Sequence, residues 1–583
     1  MAAIAAGWAR AEPLPRAGRM PCDRKASPQL RTEAVASPCG SLSLSGLVSA
    51  WEAAVRVEAG GLVRAAAQNF GAGVALTAGA RQWSFTELNE LANRVGSALA
   101  DLGVAPGDRV GVLAYNTPEV VETWFGCEKH NLVRTILHSH IAIGSHVWAL
   151  NHVAASALIF DTRFTADVAR HKHELETVRH FVGIGPGCPD WATPFAQLES
   201  GGSAEDPRLD VDEDAPCFLQ FTSGTTGRPK AWVKTYRSWQ AVINHNLIHL
   251  DTFGPDVPAI GPDDVSLHFH PIQWASGFQT FYPYYVRGAR SVLLDDEVFS
   301  PDALLDVIDR ERVTGVFTPG PLLTPVLDAV EARGGVTHRL RRMVVFFANP
   351  SLLERTTKLL GPIWAHGFGS TEQGAITTRL LPHEVEDRRE RINSVGRPGS
   401  PFLELAVVDE QGERLGTGQA GEIVARSAMS LGEYWAMPER TAQSFFPHDW
   451  FRTYDVGYLD EDGFLYYLGR AVDRITTAHG IVHPHLVEEA ILGHGSVFLS
   501  GVVGLGEPGS EEVVAGVQLK PGVAPSEELA AQIVRQTAGL PEHERPVRVT
   551  FVGDMPTVLG GAKVQRQALR ERLQAQHEPG KPG

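Results

Sequence analysis

The chain has 583 residues, so we expect more than one domain, and its hydrophobic content of 43% with a mean hydropathy of −0.10 is ordinary for a globular protein. No apolar run approaches the ~18 residues that a membrane-crossing helix needs, so we predict no membrane span. The formal net charge of −16 repels phosphate backbones and argues against nucleic acid as the main partner.

Cysteine usage and the N-terminal composition bear on where the chain works. The five cysteines are scattered, odd in number and without Cys-x-x-Cys spacing. This usage is typical of a reducing compartment, so the predicted location is cytoplasmic and no zinc–cysteine site is expected. Residues 1–45 are rich in Ala, Pro, Arg and Ser and lack the apolar core of a signal peptide. We therefore predict a disordered N-terminal tail, with Met20 as an alternative start.

Helix and strand patterns alternate through most of the chain. Trp83-Ser-Phe-Thr-Glu87 opens a helix with a Ser84/Glu87 capping box, and Asp108–Tyr115 follows as a buried strand before a helix that begins at Pro118. The same alternation continues in the helices 301–311 and 321–332 and the strands 313–318 and 343–347. It predicts a large N-terminal α/β domain with stacked, mainly parallel sheets.

Near residue 390 the pattern changes to short strands and tight turns, with strands predicted at 403–409, 421–426 and 463–468. These short strands and tight turns predict a β-rich subdomain. After Arg470 the chain carries its own helix and strand signals, which predict a small α+β domain. The expected organisation is a tail at 1–45, a core domain at 46–470, a C-terminal domain at 471–573 and a disordered tail at 574–583.

The segment Thr222-Ser-Gly-Thr-Thr-Gly-Arg-Pro-Lys230 is predicted to bind a polyphosphate. It follows an apolar run at 216–221 that reads as a buried strand. Gly224 and Gly227 let main-chain N–H groups approach an anion, and Lys230 adds a positive charge. Short hydroxyl donors come from Thr222, Ser223, Thr225 and Thr226. The glycine spacing, and the proline before Lys230, do not fit the standard G-x-x-x-x-G-K-[ST] loop.

In its order of residues this loop resembles the phosphate loop of the adenylate-forming superfamily, which includes acyl-CoA synthetases, nonribosomal adenylation domains and luciferases. The resemblance covers residues 50 to 570. It implies an AMP-forming acid ligase that uses ATP and Mg²⁺, with Thr226 in the catalytic loop. It also implies that the C-terminal domain is a mobile lid.

Gly367-Phe-Gly-Ser-Thr-Glu372 is similar to the family's Gly-Tyr-Gly-x-Thr-Glu segment, in which Gly369 occupies the second glycine. The likeness implies that Phe368 stacks on adenine, Thr371 bonds the α-phosphate and Glu372 holds Mg²⁺. A flat ring suits a purine, and a carboxylate is a hard oxygen ligand for Mg²⁺. Upstream, Asn349 stands in the adenine-edge segment and is expected to read the base.

Two later segments complete the implied nucleotide site. Trp450-Phe-Arg-Thr-Tyr-Asp455 resembles the family's aromatic-x-Arg-Thr-Gly-Asp, so Asp455 is expected to accept hydrogen bonds from the ribose hydroxyls, with Tyr454 in the glycine position. Arg470 is expected to reach ribose or phosphate. Val472 replaces the usual hinge aspartate, and His479 replaces a glycine that lets the pantetheine arm pass.

The last segment, Pro556 to Arg566, resembles the family's Pro-x-Thr-x-x-Gly-Lys-x-x-Arg with one extra residue. The resemblance implies that Lys563 is the catalytic lysine, which contacts the acid's carboxylate and the α-phosphate.

The acid pocket is predicted around Phe269–Gly277, where the family has Pro-x-x-His-x-x-Gly and this chain has Trp274 in place of the histidine. The predicted pocket residues are Gln273, Trp274, Ser276 and Gly277. A second group has no family counterpart: His138, His140, His146 and His152. It could hold a metal, line the acceptor site or simply pack in the fold.

Three activities are compatible with these motifs. The first is adenylation of a small carboxylic acid followed by transfer to CoA or to the thiol of a carrier protein acting in trans. The second is adenylation for an unusual acceptor or acid, which would form an amide or activate nitrite for diazotisation of an aryl amine. The departures at Val472, His479 and Trp274 and the histidine-rich stretch at 138–152 favour it. The third is a nucleotide-binding relative without catalysis.

Overall fold

The computed structural model describes residues 57–222, 229–374, 376–558 and 563–577, with the backbone alone for Val57, Val558, Lys563 and His577. The predicted tail 1–45 and the phosphate-loop residues 223–228 lie outside the described residues.

The strands of the described chain follow in sequence order. Those of the core are β1 (Val57–Glu58), β2 (Val74–Ala78), β3 (Arg81–Ser84), β4 (Arg109–Leu113), β5 (Val133–Ile136), β6 (Ala155–Asp161), β7 (His180–Ile184), β8 (Thr193–Pro194), β9 (Asp210–Val211), β10 (Pro216–Thr222), β11 (Lys230–Thr235), β12 (Val265–His268), β13 (Arg290–Leu293), β14 (Gly315–Pro319), β15 (Arg342–Phe346) and β16 (Trp364–His366). Those that follow are β17 (Glu404–Val408), β18 (Gly421–Arg426), β19 (Phe445–Phe446), β20 (Trp450–Leu459), β21 (Leu465–Arg470), β22 (Ile475–Thr477), β23 (Gly480–Val482), β24 (Val497–Leu505), β25 (Glu512–Leu519), β26 (Arg548–Phe551), β27 (Thr557–Val558) and β28 (Lys563–Val564).

The α-helices of the described chain are α1 (Gly61–Phe70), α2 (Phe85–Asp101), α3 (Pro118–Lys129), α4 (Ile143–His152), α5 (Thr165–His171), α6 (Phe195–Gly201), α7 (Tyr236–Asp251), α8 (Ala275–Tyr285), α9 (Pro301–Arg310), α10 (Gly320–Ala332), α11 (Pro350–Leu360), α12 (Pro382–Asp387), α13 (Pro438–Gln443), α14 (Pro484–Leu492), α15 (Glu527–Gln536) and α16 (Arg566–His577). None of these helices is both long and apolar enough to cross a bilayer.

Two mainly parallel sheets form the core domain, each with seven of the described strands. The first has the order β11-β10-β5-β4-β6-β7-β8, and the second has the order β16-β15-β14-β12-β13-β2-β3. Only the end pairs, β10 with β11 and β2 with β3, are antiparallel. The first of these pairs brackets the predicted phosphate loop. The predicted large α/β domain with mainly parallel sheets is confirmed.

The later strands form smaller sheets. An antiparallel sheet of β17, β18, β20 and β19, with β21 paired to β20, is the β-rich subdomain that the sequence predicts. Beyond Arg470, the described strands form the β24-β25-β26 sheet and two hairpins, and α14, α15 and α16 accompany them. The expected disordered tail at 574–583 is wrong at its start, because α16 continues to His577.

Aromatic side chains dominate the core that the first sheet shares with helices α3, α7 and α8. Trp124, Phe218, Trp239 and Tyr282 are all at most 2% exposed and belong to one apolar cluster with strand residues of both seven-stranded sheets. Large rings bury much apolar area per residue, so this cluster is a main source of hydrophobic stabilisation. It also fixes α7 and α8, which border the predicted acid pocket.

Helices α2 and α3 touch backbone to backbone. A Cβ atom on Gly126 would lie 2.8 Å from the carbonyl oxygen of Ala92 and 3.0 Å from the nitrogen of Gly96. Neither backbone atom can turn away as a flexible side chain could. Gly96 and Gly126 are therefore needed because the two helices pack so closely. Glycine is otherwise unfavourable inside a helix.

We expect Gly126→Ala to destabilise the core domain, because the forced separation of α2 and α3 costs about 1–3 kcal/mol, which exceeds the ~1 kcal/mol that alanine gains by helix propensity. Gly201→Ala is the control, since a Cβ atom there meets nothing within 4 Å. Urea denaturation followed by tryptophan fluorescence should give a lower midpoint for Gly126→Ala alone. Equal midpoints for the two variants would contradict the packing argument.

Candidate active site

The carboxyl ends of parallel strands bring three predicted site segments to one edge of the second sheet. Strands β12, β15 and β16 run parallel within it, with β14 between β12 and β15. The segments that follow them, 269–277, 347–350 and 367–372, carry Trp274, Asn349 and Phe368. In open α/β sheets, ligands bind at this edge.

The backbone around Phe368 is held in place by Thr378. The N–H of Phe368 donates to the Thr378 hydroxyl at 3.2 Å, and a Cβ atom on Gly367 would lie 2.4 Å from the Thr378 carbonyl oxygen. The Phe368 ring is 8% exposed and lies 5.6 Å from the Tyr467 ring. Asn349 caps α11, because its side-chain oxygen accepts the N–H of Leu352 at 2.8 Å. The expected contact of Asn349 with the adenine base stays a prediction.

Glu372 is fixed through both its carboxylate and its main chain. The Tyr434 hydroxyl donates to Oε1 of Glu372 at 2.9 Å. Nζ of Lys234 donates to the Glu372 carbonyl oxygen at 2.7 Å and to the Met429 carbonyl oxygen at 2.6 Å. Gly369 and Thr371 lie between Phe368 and Glu372 and are half-buried.

Lys234 is fully buried, and burial lowers its pKa to about 7, while the charge of Glu372 opposes that change. The amine therefore titrates near neutral pH. A neutral amine still has two N–H groups, enough for both carbonyl oxygens.

Asp455 lies opposite Arg470 in the β20–β21 pair. Nε of Arg470 is 3.5 Å from Oδ1 of Asp455, and the Tyr467 hydroxyl is 3.5 Å from the same oxygen. Asp455 is 8% exposed. Burial of Tyr467 raises the pKa of its phenol well above the usual value, and the negative charge of Asp455 raises it further. The phenol therefore stays a donor at physiological pH.

Tyr454, at the glycine position of the family motif, has a left-handed backbone conformation. Its φ is 59°, in the left-handed region that β-branched and bulky residues seldom adopt. Its hydroxyl donates to the Gln443 carbonyl oxygen at 3.0 Å, and its N–H donates to Oε1 of Glu422 at 3.3 Å. The Arg440 guanidinium lies 4.6 Å from the centre of its ring. These contacts hold the turn, so Asp455 keeps its register.

The ends of the phosphate loop are described, although its centre is not. Thr222 and Lys230 are paired across β10 and β11, and the Thr222 hydroxyl donates to the Lys230 carbonyl oxygen at 3.4 Å. Burial lowers the pKa of Lys230, the charges of Arg440 and Arg470 lower it further, and Glu372 opposes them. Lys230 therefore lies within electrostatic range of these three charged groups. The predictions for Ser223, Gly224, Thr225, Thr226 and Gly227 fall outside the described residues.

The predicted acid-pocket residues lie at the start of α8. Trp274 is the residue before that helix and is 7% exposed. Its ring lies 5.9 Å from that of His270, whose Nε2 is 3.3 Å from the Ser276 hydroxyl. Gln273 donates to the Ala114 carbonyl oxygen at 2.9 Å, which ties this segment to the end of β4. Gly277 leaves no space for a Cβ atom, which would lie 2.2 Å from the Ile272 carbonyl oxygen.

The C-terminal domain contacts Tyr467, and with it the region around Asp455, through α14. The His485 ring lies 5.1 Å from the Tyr467 ring. Val472 is 64% exposed on the turn after Arg470, and His479 is exposed at the tip of the β22–β23 hairpin. Lys563 begins β28, but its side chain is outside the described part, so its catalytic role stays a prediction.

Three of the four histidines without a family counterpart make separate side-chain contacts, and the fourth, His138, contributes its carbonyl oxygen to one of them. Nε2 of His140 is 3.1 Å from Oδ2 of Asp296, Nε2 of His146 is 3.0 Å from the His138 carbonyl oxygen, and Nε2 of His152 is 3.2 Å from the Trp435 carbonyl oxygen. Within the described ranges, no group of three or more His, Cys, Asp or Glu side chains is placed to hold a metal ion. The metal alternative for these histidines is therefore wrong.

Sequence reasoning missed Lys234, Tyr434 and Tyr467. Lys234 follows the apolar residues 231–233 in β11, and a lysine next to a buried apolar run is the only local signal for it. Tyr434 reaches Glu372 only because residues 433–435 bond to β11, and no local pattern reveals that contact.

The model of the AMP-binding enzyme family matches residues 63–435. The chain belongs to the AMP-binding enzyme family. It is 28% identical to a medium/long-chain-fatty-acid–CoA ligase of Mycobacterium tuberculosis, over 83% of this chain and 85% of that protein. It is also 28% identical to a fatty acid–[acyl-carrier-protein] ligase of Streptomyces coeruleorubidus, over 85% of this chain and 92% of that protein.

The fold is shared with solved members of the group. The structure of an amide bond synthetase from Marinactinospora thermotolerans superposes with a TM-score of 0.76 at 26% identity, covering 88% of this chain and 99% of that chain. This AMP-binding enzyme is thus similar to ligases that differ in their named products.

We expect Lys234→Met to change the pH dependence of stability. Since the pKa of Lys234 is about 7 when folded and about 10.4 when unfolded, the unfolded chain binds more protons between these values. Wild-type stability should therefore rise relative to Lys234→Met as pH increases from about 7 to 9, by at most about 1.4 kcal/mol per pH unit. The measurement is the difference in thermal midpoint at each pH.

Lys358→Met is the matched control, because Lys358 is exposed in the last turn of α11. Its midpoint should follow that of the wild type at every pH. A Lys234→Met curve that also runs parallel to the wild type would show that the buried amine does not titrate in this range.

Proposed function

We propose that this AMP-binding enzyme adenylates a small carboxylic acid with ATP and transfers the acyl group to the thiol of CoA or of a carrier protein. The observation that carries the proposal is the pairing of Asp455 with Arg470 beside Tyr467 and Phe368, at the sheet edge that also holds Glu372. The Phe368 ring suits a base, the Asp455 carboxylate suits a ribose, and the cations Arg470 and Lys230 suit phosphates.

The chemistry needs little covalent work from the protein. A carboxylate oxygen of the acid attacks the α-phosphorus, the bond from that phosphorus to the bridging oxygen breaks, and pyrophosphate leaves with the electron pair. Acyl-AMP remains. The protein must hold two mutually repelling anions in line and neutralise charge as it develops.

The described side chains suit these tasks. Phe368 offers a flat face for adenine, and Asp455 offers acceptor oxygens for ribose hydroxyls. Lys230 and Arg470 supply positive charge for phosphates. Glu372 offers carboxylate oxygen, the ligand type that Mg²⁺ prefers, and Tyr434 and Lys234 hold it in place. Bound there, Mg²⁺ would neutralise phosphate charge.

A second candidate is an atypical acceptor, either an amine that yields an amide or an aryl amine that meets activated nitrite. His479 is exposed at the position where the family motif has glycine, and Val472 is exposed at the position where the motif has the hinge aspartate. The likeness to an amide bond synthetase supports the amide route. Loss of catalysis is the third possibility, and an activity measurement separates it from the other two.

Acid-dependent exchange of labelled pyrophosphate into ATP tests the first step. We expect exchange with at least one member of a panel of aryl, alkyl and amino acids, and none without Mg²⁺. AMP release is then measured with CoA, with a primary amine or with neither, and stimulation by CoA supports the thiol route. Stimulation by the amine alone supports the amide route, and no exchange with any acid would refute adenylation.

Lys563→Ala should slow adenylation at least ~100-fold, since it removes a charge that stabilises the forming pentavalent phosphorus. Lys520→Ala, at the turn after β25 in the same domain, is the control for loss of a positive charge. The readout is the single-turnover rate of acyl-AMP formation. An unaltered rate in Lys563→Ala would assign the role to a neighbouring cation.

A further inference from the structure

Two tyrosine rings hold the guanidinium of Arg440, the third residue of α13. Cζ of Arg440 lies 4.6 Å from the centre of the Tyr454 ring and 5.8 Å from the centre of the Tyr434 ring. A guanidinium over an aromatic face is attracted to the electrons of the ring. The two rings therefore fix the position of a positive charge on α13.

One of the two rings is absent from the family motif. Tyr454 stands where the motif aromatic-x-Arg-Thr-Gly-Asp has glycine, which offers no ring to a guanidinium. Its hydroxyl donates to the carbonyl oxygen of Gln443, the last residue of α13, at 3.0 Å. Tyr454 therefore contacts α13 through both its hydroxyl and its ring, and the ring contact with Arg440 depends on this replacement of glycine.

The second ring connects Arg440 with the expected Mg²⁺ ligand and with the strand after the phosphate loop. The Tyr434 hydroxyl donates to Oε1 of Glu372 at 2.9 Å. The main chain of residues 433–435 pairs with β11 through hydrogen bonds of 2.9 and 2.8 Å. Because β11 begins at Lys230, this pairing brings Arg440 to the end of the phosphate loop.

The charge of Arg440 is not neutralised by a neighbouring carboxylate. Its Nε is buried without a hydrogen-bond partner, and no carboxylate of the described residues forms a salt bridge with its guanidinium. After burial, the charge of Arg440 is the largest influence that lowers the pKa of Lys230, so the two cations lie within electrostatic range of each other. Like charges in a partly buried region repel, and an anion bound beside both of them offsets that repulsion.

The surroundings indicate which phosphates of ATP suit this place. Arg470 faces Asp455, the residue expected to bind the ribose, so Arg470 lies on the ribose side. Arg440 is instead connected with Lys230 and Glu372, which are expected to bind the phosphates and their Mg²⁺. A planar guanidinium can form two parallel hydrogen bonds with phosphate oxygens. The outer phosphates therefore suit Arg440 better than the ribose or the α-phosphate.

We propose that Arg440, positioned by the Tyr454 ring, binds the β- and γ-phosphates of ATP and the pyrophosphate that leaves. Tyr454 is a positioning residue, because it acts through Arg440. As the bond to the α-phosphorus breaks, the leaving pyrophosphate takes the electron pair, and a guanidinium at its oxygens stabilises the added negative charge. This assignment rests on the proposed adenylation, of which pyrophosphate is a product.

Titration calorimetry with three ligands tests the assignment. The ligands are ATP and inorganic pyrophosphate, each with Mg²⁺, and AMP, which lacks the two outer phosphates. Arg440→Met keeps an apolar stem but removes the charge. We expect it to weaken the binding of ATP and of pyrophosphate at least ~10-fold, as the loss of a hydrogen bond to a charged group does, and to change the affinity for AMP less than ~2-fold. Arg440→Lys keeps the charge without the planar fork, so it should lose less affinity than Arg440→Met.

Arg426→Met is the matched control, because it removes another arginine that lies against an aromatic ring of the same sheet. Cζ of Arg426 is 5.1 Å from the centre of the Trp450 ring, and its guanidinium pairs with Glu404. This variant should bind all three ligands like the wild type. If Arg440→Met weakened the binding of AMP, ATP and pyrophosphate equally, Arg440 would only support the fold and the assignment would be overturned.

Substitution of Tyr454 tests the positioning role. Tyr454→Gly removes the ring, while glycine adopts the φ of 59° without strain and so keeps the turn before Asp455. We expect weaker binding of ATP and pyrophosphate but not of AMP, and Tyr454→Phe, which keeps the ring, should lose less affinity. Unaltered binding in Tyr454→Gly would refute the positioning role, and so would an equal loss in both variants, because that result would assign the effect to the hydroxyl.

Pyrophosphate exchange separates this inference from the proposed function. Selective weakening of ATP and pyrophosphate binding in Arg440→Met, without exchange by the wild type with any acid, would support the phosphate contact and refute adenylation. Exchange by the wild type, together with unaltered binding of ATP and pyrophosphate in Arg440→Met, would refute the contact alone.

Discussion

The carboxyl ends of parallel strands in the second sheet set the positions of the three site segments that carry Trp274, Asn349 and Phe368. Because β12, β15 and β16 run in one direction, the segments that follow them meet at the same edge. The β20–β21 pair then brings Asp455 and Arg470 against Phe368 through Tyr467. Other contacts adjust side chains within this frame. Lys234 and Tyr434, for example, hold Glu372 from two sides.

Much of this arrangement could be predicted from the sequence, because its motifs are local. The capping box at Ser84, the strand before Thr222 and the Gly367–Glu372 segment each lie within a few residues, and the described structure has the corresponding elements. Tyr434 and Lys234 could not be found in this way, since they reach Glu372 across 62 and 138 residues of sequence. The roles of Thr226 and Lys563 depend on side chains outside the described part and stay predictions.

The acid pocket shows where family resemblance and local physics diverge. Two of the similar ligases are named for fatty acids. In this chain, however, the predicted acid pocket has Trp274 in place of the family's histidine, beside the buried side chains of His270 and Gln273. Burial of such groups is costly unless they are paired. The shared fold therefore does not identify the acid, which has to be argued from the side chains of the pocket.

The salt bridges around Arg566 have a consequence for how the C-terminal domain can turn. Nε of Arg566 is 3.2 Å from Oδ2 of Asp473, and its Nη2 is 2.8 Å from Oε2 of Glu488 in α14. Asp473 is thereby fastened to the body of that domain, whereas Arg470 faces Asp455 in the preceding sheet. If the C-terminal domain rotated, Asp473 would move with it. The change in dihedral angles would then fall on Ala471 and Val472, which makes the pivot about two residues long.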